Sequence, residues 1–297
     1  MGGVEVSQFS IEQVRATYKA RDSWWTVLLV DPAVGHLVRL AASRRWITPN
    51  LLTGAAFALG MLAAVCFFQA GPVWLAAGAI VYHLGFMLDC MDGKIARLQG
   101  SGSIFGGWLD FFLDRIRVVV CAVSLFTGLW SRTDNEAFLF AAMVVVFLAL
   151  FGYVNGAETD KARTRLAARR RVDNEALLAA AAGSAAGLVR RVAGALHRRR
   201  IRLNLVSGVE FEMAVLIVGP LTAALAGPYG QLWVVGVAAT LLVGFEAALI
   251  LRFWLAVRTA GRTPTPPGGD QIAPPAAAAD PSGGEGPAAA DGTGGSA

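Results

Sequence analysis

Four aspartates carry most of the chemistry available to this sequence. They fall in two pairs, Asp89 and Asp92 within Asp89-Cys90-Met91-Asp92-Gly93-Lys94-Ile95-Ala96-Arg97, and Asp110 and Asp114 within Gly106-Gly107-Trp108-Leu109-Asp110-Phe111-Phe112-Leu113-Asp114. Spaced three and four residues apart, the members of each pair share one face of a helix. Gly100-Ser101-Gly102 between them is a turn signal that would let the two helices pack antiparallel. Asp92 lies nine residues before Ser101 and Asp110 nine after it. At 1.5 Å of rise per residue each is then roughly 13 Å from the bend, at one depth. Asp89 and Asp114 are matched nearly as well, so four carboxylates are expected to converge.

Carboxylates gathered in a poorly solvated place repel one another unless cations compensate them. Two divalent ions would do so, and an oxygen-only donor set favours Mg²⁺ or Mn²⁺, since zinc recruits His or Cys as well. His83, six residues before Asp89, falls on another part of the helix face and is expected to pack or hydrogen-bond in the core. Gly93 and Gly106 remove side chains beside the acids and admit a flat group or a phosphate to the backbone. Ala96 keeps that face shallow, and the planar fork of Arg97, one turn past Gly93, suits phosphate oxygens. The competing reading is of charges that merely sit in the wet headgroup zone at a helix end.

The elements that must position these residues are membrane helices. The chain has 297 residues, 55% hydrophobic and 16% charged, with a net charge of +5 and a mean hydropathy of +0.54, too oily for an ordinary soluble domain. A span needs about 20 apolar residues. Such stretches occur near 51–68, 73–88 with a polar extension, 108–129, 137–154, 211–225 and 232–255. The expected fold is all-α: a polytopic membrane protein of about six transmembrane helices with an N-terminal interfacial amphipathic helix. That helix is read from Trp24, Trp25, Leu28, Leu29, Leu37, Val38 and Leu40, with Pro32 interrupting it.

Arg39, Arg44 and Arg45 precede the first span, Lys94 and Arg97 follow the second, a dense arginine run follows the fourth, and Arg258 and Arg262 follow the sixth. The connections 69–72 and 227–231 carry no Lys or Arg, Arg132 being the exception on that side. By the positive-inside rule both termini and the aspartate site face the cytoplasm of a multi-pass cell-membrane protein. The N-terminus lacks the basic start and short apolar core of a cleaved signal. Cys66, Cys90 and Cys121 lie in apolar runs without metal-ligand spacing and read as buried hydrophobes.

The chain divides by composition into three regions: an N-terminal cytoplasmic segment over 1–46, a membrane domain over 47–260 that includes a basic insertion at about 159–207, and a Pro/Gly/Ala-rich tail over 261–297 that cannot bury a core. The insertion suits an anionic leaflet or a phosphorylated substrate. No nucleic-acid reading module accompanies its charge, which disfavours nucleic acid as a partner.

The two aspartate pairs and their spacing resemble the CDP-alcohol phosphotransferases, whose signature is D-x2-D-G-x2-A-R-x8-G-x3-D-x3-D. Asp89, Asp92, Gly93, Ala96, Arg97, Gly106, Asp110 and Asp114 fill every signature position with the eight-residue spacer intact. Ile47-Thr48-Pro49-Asn50 is similar to the family's entry to its first span. The N-terminal extension, the basic insertion and the tail lie outside the likeness.

The resemblance implies an enzyme of phospholipid biosynthesis in which Asp89, Asp92, Asp110 and Asp114 bind two ions, Mg²⁺ or Mn²⁺. Gly93, Ala96 and Gly106 would admit the donor nucleotide, Arg97 would meet its phosphates, and Asp114 would be the general base. The donor it implies is CDP-diacylglycerol or another CDP-alcohol, CMP is the leaving group, and a homodimer is the common assembly. In actinobacterial phosphatidylinositol phosphate synthases basic residues after the fourth span hold the acceptor phosphate, an arrangement that Tyr153, Lys161 and Arg163 together resemble, though their spacing departs from that pattern. The acceptor could equally be another small polyol, a polyol phosphate or a lipid alcohol.

Other readings of the cluster are an intramembrane prenyltransferase, which would carry a second Asp-rich motif, a cation transporter, which would carry an acidic counterpart in a paired half, and a silent lipid-binding scaffold. Glu210, Glu212 and Glu246 are further acids inside spans, and such residues are functional candidates or paired charges.

Overall fold

The computed structural model describes residues 9–20, 22–44, 46–170 and 207–260. The chain divides into a unit of Met1–Leu255, which carries both aspartate pairs, and a second of Ala256–Ala297. The expected disordered tail lies outside the described residues, as does most of the basic insertion.

Every regular element among the described residues is helical. A short α1 (Ile11–Ala16) and a π-helical turn (Thr26–Val30) precede α2 (Asp31–Ala42). The long helices follow: α3 (Pro49–Gln69), α4 (Pro72–Gln99), α5 (Ile104–Thr133), α6 (Ala137–Arg170), α7 (Gly208–Ala226) and α8 (Tyr229–Ala260). Local signals set their ends. The Thr48 side chain accepts from the Leu51 amide at 3.2 Å and Pro49 opens the first turn of α3. Gly100 closes α4 at φ 62°, where a residue without Cβ is unstrained, and Ser103 accepts from the Gly106 amide at 2.9 Å to start α5.

Among the described residues, five helices are long and apolar enough to cross a membrane: Pro49–Gln69, Pro72–Gln99, Ala137–Thr159, Gly208–Ala226 and Tyr229–Leu255. The exception among the six expected spans is α5. At 30 residues it has membrane-spanning length, roughly 45 Å, but Asp110, Asp114, Arg115 and Arg117 break its apolar window. Phe68, Phe140, Met143, Phe147 and Val237 are exposed on the long helices, a display that a hydrocarbon surround accommodates and water does not.

α3 is the central scaffold, because both α4 and α5 pack on it while α7 covers α4 and α6 lies beside α5. The two motif helices are not themselves a closely packed pair. The α4–α5 contact expected from the Gly-Ser-Gly turn is made through side chains, with both helices packed on α3. Gly128 shows how close α5 comes to α3, since a Cβ there would stand 2.4 Å from the Phe68 carbonyl oxygen.

Pro32 does not interrupt a helix as expected; it sits in the first turn of α2, where its missing N–H costs nothing. Val30, Val34 and Val38 are buried while Leu28, Leu29, Leu37 and Leu40 stay exposed, so α2 and the turn before it are apolar on two sides. Lys94 is not a surface charge: it is buried against Asp31 at 3.2 Å, and its Nζ also donates to the Cys90 carbonyl at 3.0 Å, fixing α2 on α4. His83 is half-buried and meets Trp25 edge-on at 6.1 Å. The three cysteines are free, Cys66 and Cys121 buried and Cys90 partly so.

Candidate active site

Between the C-terminal half of α4 and the N-terminal turns of α5 lies a cleft of about 130 Å³. Its walls are Pro49, Asn50 and Thr53 of α3, Asp92, Gly93 and Ala96 of α4, the loop 101–103, and Gly106, Gly107 and Asp110 of α5. The helices bring Gly93, Ala96 and Gly106 to one lining together with an aspartate from each pair. At Gly106 the approach is close, a Cβ there falling 2.9 Å from Ser103 Oγ and 3.0 Å from Asn50 Oδ1. Arg97 reaches back along α4, so that a Cβ on Gly93 would meet its Nη1 at 3.4 Å. Its Nε donates to the Thr17 carbonyl at 2.8 Å, which ties the segment after α1 to the cleft's edge.

Asp89 lies within electrostatic reach of the other three aspartates, Asp114, Asp110 and Asp92. Their direct contacts divide them into two pairs. Asp92 and Asp110 are within side-chain hydrogen-bonding reach, and Thr53 Oγ1 donates to Asp92 Oδ2 at 2.5 Å. Asp89 and Asp114 are instead joined through Arg117, whose Nη1 is 3.3 Å from Asp89 Oδ1 and whose Nη2 donates to Asp114 Oδ1. Arg115 takes Asp114 Oδ2 and stacks on Tyr153 with its guanidinium carbon 3.1 Å from the ring centre. Both oxygens of Asp114 are thus occupied, and accepting a proton there requires one guanidinium to yield.

The four carboxylates expected to hold a pair of ions thus stand as two pairs, one of them bridged by Arg117. Among the described residues no three His, Cys, Asp or Glu side chains stand together as a metal-holding group. Arg117 lies between the members of one pair. The remaining pair fits a divalent ion: Asp110 Oδ1 is buried without a hydrogen-bond partner, and no cationic side chain among the described residues is ion-paired with Asp92 or Asp110. Facing carboxylate oxygens of that kind are hard donors suited to Mg²⁺ or Mn²⁺.

The expected acceptor residues are not gathered here. Lys161 is exposed on α6 and paired with Glu158 at 2.8 Å, with no contact to the aspartates, and the Arg163 side chain lies outside the described residues. Tyr153 does reach the site, through Arg115. The other intramembrane acids have partners: Glu212 accepts from Tyr82 at 2.5 Å, Glu210 accepts from the Trp24 amide at 3.2 Å, and Glu246 accepts from Asn155.

Sequence reasoning missed Arg117, Arg115 and Thr53. Arg117 had a signal, a lone cation opening the apolar run Val118-Val119-Val120, since a charge at that depth is expensive without a partner. Thr53 carried none, because a threonine one turn into an apolar helix is unremarkable until its neighbour across the gap is known.

The chain is similar to known proteins. Residues 46–193 match the family model described as CDP-alcohol phosphatidyltransferase. A phosphatidylinositol phosphate synthase of Mycolicibacterium smegmatis is 38% identical over 79 residues, 27% of this chain and 35% of that one. An archaetidylinositol phosphate synthase of Pyrococcus horikoshii is 39% identical over 106 residues, 36% of this chain and 50% of that one. The matched stretches therefore span half or less of these relatives. The crystal structure of Mycobacterium tuberculosis phosphatidylinositol phosphate synthase with CDP-DAG bound superposes with a TM-score of 0.50 at 18% identity, covering 76% of this chain and 94% of that one, a likeness of fold.

Proposed function

Because the chain belongs to the CDP-alcohol phosphatidyltransferase family through residues 46–193, we propose that it transfers a substituted phosphate, the phosphatidyl group of CDP-diacylglycerol, to an alcohol and releases CMP. The observation that carries this reading is the cleft in which Asp92, Gly93, Ala96, Gly106 and Asp110 line one space. Its size suits a planar ring rather than a whole nucleotide, with the diphosphate extending toward the aspartates and the acyl chains remaining in the bilayer.

Asp92 and Asp110 would hold Mg²⁺ or Mn²⁺, with Asp89 and Asp114 behind them. A divalent ion there supplies charge neutralisation and polarisation of the donor diphosphate. Gly93, Ala96 and Gly106 leave the helix faces low enough for the cytosine ring, and Arg97, fixed through Nε by the Thr17 carbonyl, keeps its terminal nitrogens for phosphate oxygens. Asp114 takes the acceptor's hydroxyl proton on a carboxylate oxygen as the acceptor's own oxygen bonds to the phosphorus of the retained group. The bond from that phosphorus to the CMP oxygen breaks in the same displacement.

The membrane domain takes in residues 47–260, the site and both termini face the cytoplasm, and the protein works as a homodimer, as family members commonly do. For the acceptor we favour a polyol phosphate: the two bacterial and archaeal relatives are inositol phosphate lipid synthases by name, and Arg115 stands on Tyr153 beside Asp114. The test is CMP release by purified protein in detergent with CDP-diacylglycerol, Mn²⁺ and a panel of acceptors, inositol phosphate and glycerol phosphate first. Metal-dependent CMP formation that needs one of these alcohols supports the reading, and no release with any of them refutes it.

A further inference from the structure

Arg117 occupies a built position rather than a surface one. The residue is 1% exposed, and its stem lies in a slot that α3 provides by carrying glycine at position 60. A Cβ there would stand 2.3 Å from Arg117 Cγ and 2.5 Å from Cδ. The guanidinium lies 5.6 Å from the Tyr82 ring centre, and the Tyr82 hydroxyl donates to Glu212 Oε1 at 2.5 Å. Tyr82 on α4, Gly60 on α3 and Glu212 on α7 thus enclose it from three helices. A guanidinium does not deprotonate in proteins, and walls on these sides prevent it from turning out to solvent.

The consequence is an unequal site. Asp89 and Asp114 have a fixed cation, whereas Asp92 and Asp110 face each other without an ion-paired one among the described residues, and Asp110 Oδ1 is buried without a hydrogen bond. A dication placed between Asp89 and Asp114 would have to displace Arg117 into apolar packing or share the space with it, and like charges in a weakly screened site repel strongly.

We propose that Arg117 stands in for one divalent ion, so that this chain takes up a single Mg²⁺ or Mn²⁺, at Asp92 and Asp110, and holds Asp89 and Asp114 with its own guanidinium. The inference rests on the metal-dependent transfer proposed for this site and deepens it. Arg117 is in this sense a positioning residue: it sets where Asp114 presents its oxygens, and it reduces the number of ions the site needs.

The experiment counts Mn²⁺ bound to the full-length purified chain by electron paramagnetic resonance of the free ion, with and without CDP, the ion held by CDP itself being subtracted. One Mn²⁺ per chain is expected for the wild type and for Arg117→Lys, one for Asp89→Asn, none at the same concentration for Asp92→Asn, and two for Arg117→Met. Two ions on the wild type overturn the inference while leaving the metal-dependent reading in place. One ion on a folded Arg117→Met, judged by circular dichroism and gel filtration, also overturns it. Should that variant fail to fold, the wild-type count and the Asp89→Asn count decide. No bound ion on the wild type, together with CMP release that ignores added metal, overturns the reading and the inference with it.

Discussion

Replacing Thr53 by valine keeps the shape of a buried side chain and removes one hydroxyl. That hydroxyl donates to Asp92 Oδ2 at 2.5 Å, and both residues are 5% exposed, so water cannot readily take its place. Hydrogen bonds to charged groups contribute about 1.5–3 kcal/mol, which corresponds to roughly 10- to 150-fold in any constant that depends on that carboxylate. Loss of a residue that orients a metal ligand typically lowers metal affinity about 10- to 100-fold, and the two ranges agree. The Pro49 carbonyl, the hydroxyl's other neighbour at 3.1 Å, belongs to the first turn of α3 and keeps a helical amide to accept from. Thr53→Val should therefore raise the Mn²⁺ concentration for half-maximal CMP release by about 10- to 100-fold, and Thr53→Ser should stay close to wild type. The assay is a metal titration of CMP formation at saturating donor, with thermal unfolding in detergent as the control for the fold. An unchanged Mn²⁺ dependence in a folded Thr53→Val protein would falsify the assignment of Asp92 as the ion's ligand.

Asp114→Asn keeps the hydrogen-bonding shape but cannot accept the acceptor's proton, so turnover should be lost while donor binding persists; a wild-type rate removes the proposed base. Gly60→Ala places a methyl group 2.3 Å from Arg117 Cγ and should lower stability by about 1–3 kcal/mol, read as a fall in the melting temperature; an unshifted melt means the slot is not tight. Gly93→Leu projects a side chain into the cleft and should raise the KM for the CDP donor while leaving the Mn²⁺ count unaltered; a KM that does not move places the ring elsewhere. Cysteines introduced at the exposed positions Gln69 and Lys161, in a background free of native cysteines, should label from opposite sides of the membrane, and labelling from one side overturns the orientation.

Much of this protein was legible in one dimension. Helix ends follow from Thr48, Pro49, Gly100 and Ser103, whose effects act within a turn or two of the chain. The equal depth of Asp92 and Asp110 follows from counting residues to the bend, because the rise of a helix is constant. The Asp-Gly-Ala-Arg spacing is likewise a property of one helix face. What each charge meets across a gap is not.

Lys94 reads in sequence as a charge on the cytoplasmic side, yet it lies buried on Asp31, 63 positions earlier in the numbering (94 − 31). Arg117 reads as one more cation at the end of an acidic motif, yet a glycine on α3 and a tyrosine on α4 make the slot that aims it at Asp89. Local spacing fixes which residues share a face; only the packing of α4 and α5 onto α3 decides which faces meet. In a medium that cannot solvate charge, that meeting determines which carboxylates already have a cation and which need one from outside.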